Sequence, residues 1–179
     1  MKTTTAILFL LTAVLMTSCE GPMGPPGLDG LDGDNMIGTV FEIEGDFTLQ
    51  NNYMLYYQFP TNFEIYDGDI VLVYILWEIS GGKDVWRLLP QTVVLDDGIL
   101  QYNFDYTLDD VQIFLEGTTD FNQLLPAETN DQVFRIAVLP AALAQNKSID
   151  VTDLDVVMKS LNVPLNSVEK MELSVPLEK

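Results

Sequence analysis

The side chains that most often carry enzymatic or metal chemistry are nearly absent from this chain. It has no histidine, and its one cysteine is Cys19. Without histidine there is no Ser-His-Asp or Cys-His relay to generate a nucleophile, and one cysteine cannot furnish the usual tetrahedral zinc site. What remains is carboxylate, 27 Asp and Glu against 8 Lys and Arg. Glycosidases place two carboxylates across a cleft, but in so acidic a chain a facing pair arises by chance, and no spacing here singles one out. The expectation is a protein that is not an enzyme and has no cofactor.

Calcium is the hard cation that so many oxygens would suit, and the densest groups are Asp96-Asp97, Asp109-Asp110 and the stretch Asp29 to Asp34. None has the alternating ladder of a twelve-residue calcium loop, so each pair reads as a solvated turn. The segment NKSIDVTDLDVVMKSL resembles the end of a dockerin repeat, in which a calcium loop runs into a helix. With Asp153 as last ligand, Asn146 and Asp150 fall at usable positions, but Ala142 and Ala144 stand where the first ligands belong, and the repeat is single. No metal site is expected.

Aromatic side chains offer a further chemistry, stacking on sugar rings, with Trp77, Trp86, Tyr53, Tyr56 and Tyr57 as candidates. Trp77 lies in an all-apolar run and reads as core, and Trp86 in DVWRLL reads as packed on its strand. Asn51-Asn52-Tyr53 sits in a loop and is least accounted for by packing. Tyr53 and Trp86 are therefore the candidate ligand contacts.

The net charge of −19 becomes −20 if Lys2 leaves with an amino-terminal signal. Such a chain is repelled by nucleic-acid phosphates and anionic headgroups, so attachment to a membrane has to be covalent. The amino terminus offers the means. After Met1-Lys2 comes the apolar run Ala6 to Met16, 11 residues, long enough for a signal-peptide core and too short to span a bilayer. Thr17 and Ser18 then put small side chains just before Cys19, a thiol with no disulfide partner. This resembles the bacterial lipobox, with Met16 where leucine is usual. The resemblance implies cleavage after residue 18 and lipidation of Cys19, and each buried methylene of its acyl chains would contribute about 0.8 kcal/mol to anchoring.

Gly21 to Asn35, GPMGPPGLDGLDGDN, is five Gly-x-y triplets, the collagen pattern. Proline is confined to the first two triplets, and Asp29, Asp32 and Asp34 have no lysine beside them, so the stretch reads as an extended spacer of at most about 45 Å on a monomer. A lipobox running into C-E-G-P-x-G-P-x-G resembles a set of collagen-like predicted lipoproteins of the Bacteroidota, flavobacteria above all, whose bodies are β-rich and functionally unassigned. Across residues 1 to 35 the likeness is specific. Beyond them it rests on VWRLLPQT, DGILQYNFDYT and QVFRIAVLPA, and it implies location and architecture without assigning functional residues.

The positioning scaffold is residues 36 to 179, one domain in length and 47% apolar over the whole chain. Strands are expected over 37–44, 52–59, 70–79, 85–89, 92–95, 99–106, 111–115, 132–139 and 168–175. IVLVYILWEI is apolar on both faces and predicts a central strand covered on each side. LQYNFDY alternates, with Leu100, Tyr102, Phe104 and Tyr106 on one face. Asp96-Asp97-Gly98 predicts a tight hairpin through positive φ values. One short helix is expected, capped by Thr152, with Leu154, Val157, Met158 and Leu161 on its apolar face and a stop near Asn162 and Pro164. The fold class is all-β, an antiparallel β-sandwich of jelly-roll or immunoglobulin-like topology. The expected role is a non-enzymatic surface or envelope module, lipid-anchored in the cell envelope at the outer membrane, with a protein or glycan partner. A carbohydrate-binding accessory lipoprotein is the alternative.

Overall fold

The computed structural model describes residues 38–164 and 167–174. The signal segment, Cys19 and the Gly-x-y stretch lie outside the described residues. Nine strands form: β1 (Thr39–Gly45), β2 (Met54–Gln58), β3 (Ile70–Ser80), β4 (Lys83–Leu88), β5 (Gln91–Leu95), β6 (Gly98–Tyr106), β7 (Asp110–Gly117), β8 (Gln132–Leu139) and β9 (Glu169–Met171). They make two sheets, β4-β3-β8-β1-β9 and β2-β7-β6-β5. Each is antiparallel apart from the β1–β9 pair, which is parallel. The β-sandwich expected from the strand pattern is the fold.

Alternation along the strands explains why the sheets face each other. Phe41 and Ile43 of β1, Val71, Val73 and Ile75 of β3, and Phe134, Ile136 and Val138 of β8 point inward from the first sheet. Leu55 and Tyr57, Leu100 and Tyr102, and Val111, Ile113 and Leu115 meet them from the second. Two even-numbered residues of β3 bury a second surface, as its doubly apolar sequence requires. Leu72 and Tyr74, with Val40, Ala137 and Leu139, pack under a helix outside the first sheet.

That helix is α3 (Leu154–Ser160), preceded by the four-residue helices α1 (Pro126–Thr129) and α2 (Ala141–Ala144). Helix α3 buries Leu154, Val157, Met158 and the following Leu161, each burial contributing about 1.5–3 kcal/mol. Its cap is Asp153 rather than Thr152: Asp153 Oδ1 accepts from the Asp155 and Val156 N–H groups at 2.9 and 3.3 Å. Thr152 instead donates its hydroxyl to Asp150 Oδ1 at 2.7 Å. Asn162, at φ 56°, ends the helix in the left-handed conformation that asparagine tolerates. The expectation of one helix is corrected by α1, α2 and a 3₁₀ turn at Phe121–Gln123. Elements of three or four residues complete too few turns to imprint a 3.6-residue period.

The hairpin between β5 and β6 forms where expected, with Leu95 paired to Gly98. Its reason differs, because Asp96, Asp97 and Gly98 all keep φ outside the left-handed region. Glycine is needed at 98 because a Cβ there would sit 2.7 Å from the Thr119 backbone nitrogen. Nearby Gly117 does take a positive φ, 151°, and a Cβ there would collide with the carbonyl oxygen of Ile99.

The two long sides of the sandwich close differently. On one, β9 lies beside β1, and the chain then crosses to the second sheet, where the Ser174 N–H donates to Tyr56 O at 2.9 Å and Ser174 Oγ accepts from the Gln58 N–H at 3.1 Å. On the other, β4 passes through Leu89-Pro90 into β5, and the sheet edges stay open.

Candidate functional site

Tyr53 follows Asn52, and both are left-handed, at φ 55° and 53°. The turn is stapled from within, because Asn51 Oδ1 accepts from the Thr48 N–H at 2.8 Å and Asn51 Nδ2 donates to Asp46 O at 2.7 Å. The half-buried Tyr53 ring stands edge-on to Phe121, with centroids 5.1 Å apart. Trp86 lies on the opposite side of the molecule. It packs with the α3 cluster outside the first sheet, whereas Tyr53 packs with the inter-sheet core. The two candidate contacts are therefore not brought together.

The other aromatic side chains are similarly engaged. Trp77 is the extra residue of a β-bulge, since Leu76 pairs with Trp86 and Glu78 with Val85. The bulge turns Trp77 toward the open β4–β5 side, where the Arg87 guanidinium covers the ring at 4.1 Å. Tyr56 donates its hydroxyl to Asp110 Oδ2 at 2.9 Å, and burial together with that carboxylate raises its pKa. Tyr57 is only 2% exposed, and its hydroxyl has no hydrogen-bond partner among the described residues. Burial, then the nearby Glu169 charge, push that phenol far up.

A polar cluster that sequence reasoning missed lies beneath α3. Arg135 donates to Glu42 Oε2 at 3.0 Å, lies 4.4 Å over the Trp86 ring and reaches Met158 Sδ at 3.8 Å. A lone cation in the apolar run VFRIAVL was the signal for it. Trp86 thus has a cation on its face from within the fold.

Of the carboxylates considered for calcium, Asp97 and Asp150 spend their oxygens locally. Asp97 accepts the Thr119 hydroxyl at 2.7 Å and the Asp120 N–H at 3.3 Å, which lower its pKa. Asp150 accepts the hydroxyl and N–H of Thr152 and is lowered likewise, and Asn146 Oδ1 accepts from the Ser148 N–H. Among the described residues no three carboxylates gather as a metal site.

Two clefts of about 470 Å³ flank the crossing segment, and Leu173 borders both. One is acidic, with Glu44, Asp46, Asp131 and Glu172 around Lys170. The other is lined by Asn51, Asn52, Met54, Tyr56 and Ser174. Neither places a nucleophile beside a base. Comparison with protein-family models, with curated proteins and with solved structures finds no match for this chain.

Proposed function

We propose that the chain is a lipid-anchored protein of the cell envelope, held through Cys19 at the outer membrane, whose β-sandwich acts as a monomeric, non-enzymatic interaction or structural module. The anchor rests on the sequence: an 11-residue apolar core, small residues at 17 and 18, and a lone thiol. No helix of the described residues is long and apolar enough to cross a membrane.

The observation that carries the reading of the sandwich is the state of its aromatic side chains. A planar row of exposed rings would favour the stacking of sugars on a β-sandwich. Here Trp77 lies under Arg87, Trp86 under Arg135, and Tyr53 against Phe121. The exposed tyrosines, Tyr66 and Tyr106, belong to separate segments, and Tyr106 stacks on Phe104 of its own strand. That arrangement favours contact with other proteins over glycan capture. The test has two arms. Cys19→Ala should move the protein from the detergent phase to the aqueous phase or leave it uncleaved, and wild-type partitioning would refute the anchor. A glycan array probed with the detergent-solubilised protein should stay blank, and a reproducible hit lost on Tyr53→Ala or Trp86→Ala would install the carbohydrate-binding alternative.

A further inference from the structure

The outer faces of the two sheets are treated differently. That of the first is covered by α3, with Leu72 and Tyr74 beneath it. On the second, Tyr56 at the β2 edge is buried, while Thr92, Val94, Ile99, Asp105 and Glu116 are exposed. Its rows are set by register: Thr92 beside Gln101 and Glu116, Asn103 beside Phe114 and Met54, and Asp105 beside Gln112 and Tyr56. Val94 and Ile99, paired at its lower corner, are 81% and 45% exposed.

Charge is segregated across the sandwich in the same sense. The described cations, Lys83, Arg87, Arg135, Lys147, Lys159 and Lys170, all belong to β4, β8, β9, α3 or the segment leading into α3. Between Arg87 and Arg135 the sequence has no Lys or Arg, and from Thr3 to Gly82 it has none either. The second sheet and its connections therefore hold only negative charge, with Asp105 and Glu116 exposed on the outer face. A field of one sign over a largely exposed face with apolar side chains in its rows selects a partner of opposite sign and mixed polarity.

We propose that the outer face of the second sheet is a docking surface for a basic protein, whose Lys and Arg side chains meet Asp105 and Glu116 while an apolar side chain seats on Phe114 and Met54. This deepens the interaction-module reading and rests on it. Four strands at about 4.8 Å spacing and some 30 Å of β6 give a face on the order of 500 Å². That is below the roughly 800 Å² per partner of a standard interface, so the contact is transient, charge-steered and weakened by salt.

The test uses the full chain in non-ionic detergent with the basic protein cytochrome c as probe, titrated calorimetrically at low and at physiological ionic strength. Asp105→Lys with Glu116→Lys reverses the face, and Glu78→Lys with Asp84→Lys makes the same charge change on the β3–β4 hairpin. The face pair should weaken binding by about tenfold or more and the hairpin pair by less than about threefold, while Phe114→Asn weakens it without changing its salt dependence. Equal losses in the two pairs, or no binding of the probe by the wild type at low salt, would overturn the proposal. Thermal melts check folding, and if the reversed pair does not fold, Asp105→Asn with Glu116→Gln is read against Glu78→Gln with Asp84→Asn. Failure here leaves the membrane-partition and glycan-array results untouched, so the two readings fail separately.

Discussion

Arg135 and Glu42 are register partners on β8 and β1, and their ion pair, 3.0 Å long, is nearly closed to solvent, with the side chains 10% and 12% exposed. A pair in that setting holds its geometry because each charge is desolvated only in the company of the other. Glu42→Leu should therefore cost about 3 kcal/mol in urea unfolding, because it removes the carboxylate that accepts from Arg135 Nε under α3. Adding Arg135→Met should recover most of that loss. If the single variant is as stable as wild type, the pair contributes nothing and α3 docks through its apolar face alone.

Tyr57 gives a prediction of opposite sign. Its hydroxyl is buried without a partner among the described residues, and such a group costs about 1–3 kcal/mol relative to a satisfied one. Tyr57→Phe keeps the ring contacts with Phe41 and Phe59 and removes the orphan. The variant should be as stable as wild type or up to about 1 kcal/mol more stable. A loss of stability would mean that the hydroxyl is hydrogen-bonded in solution.

Two sets of groups set the pH limits. Asp97, Asp120 and Asp150 are held below their ordinary value of 3.8, Asp97 chiefly by the Thr119 hydroxyl, Asp120 by the Gln123 amide and Asp150 by the Thr152 hydroxyl. Depressed folded values mean stability that is present above about pH 4 and is lost as pH falls through them. Tyr57, Tyr74 and Tyr102 are raised above 10, chiefly by burial. Their contribution is intact below pH 10 and disappears as pH rises beyond it. Melting temperature should thus fall on both flanks, with the tyrosinate absorbance of these three on the alkaline side appearing together with unfolding. Ionisation of all tyrosines in a still-folded protein would contradict the burial of these three.

Calcium should behave as an ordinary divalent cation. A dedicated site raises stability by RT ln(1 + [L]/Kd), about 2.7 kcal/mol at a hundredfold excess, a melting shift of several degrees. Millimolar calcium should shift the melting point no more than magnesium at equal ionic strength. A calcium-selective rise lost on Asp96→Asn or Asp109→Asn would sink this.

Much of the scaffold was legible because its signals are periodic. The doubly apolar β3 announced its two coverings, and Leu154, Val157, Met158 and Leu161 announced a helix face, since burial on a regular element repeats in sequence. What was illegible depends on partners distant in sequence. Nothing near Glu169 indicates that it runs parallel to Phe41, and nothing near Trp86 places Arg135 on its ring. The hairpin at Asp96 was located correctly for the wrong cause, because the constraint on Gly98 comes from Thr119, which the local sequence does not contain. The acidic outer face of the second sheet needed both a cation-free interval, which the sequence displays, and the register that turns it outward, which it does not.

The position of β1 has a consequence in time. Its two neighbours in the sheet arrive late, since Phe41 pairs with Ile136 on one side and with Glu169 on the other. When such a chain is delivered amino end first through a narrow pore, its opening strand has no partner until most of the polypeptide has emerged. Long-range pairing of this kind folds slowly. If the chain is exported as proposed, it would stay threadable during passage, and the sandwich would lock only as the segment around Ser174 comes through. A carboxy-terminal truncation that removes Glu169 onward would leave the Tyr56 carbonyl and the outer edge of β1 open to pairing with another chain.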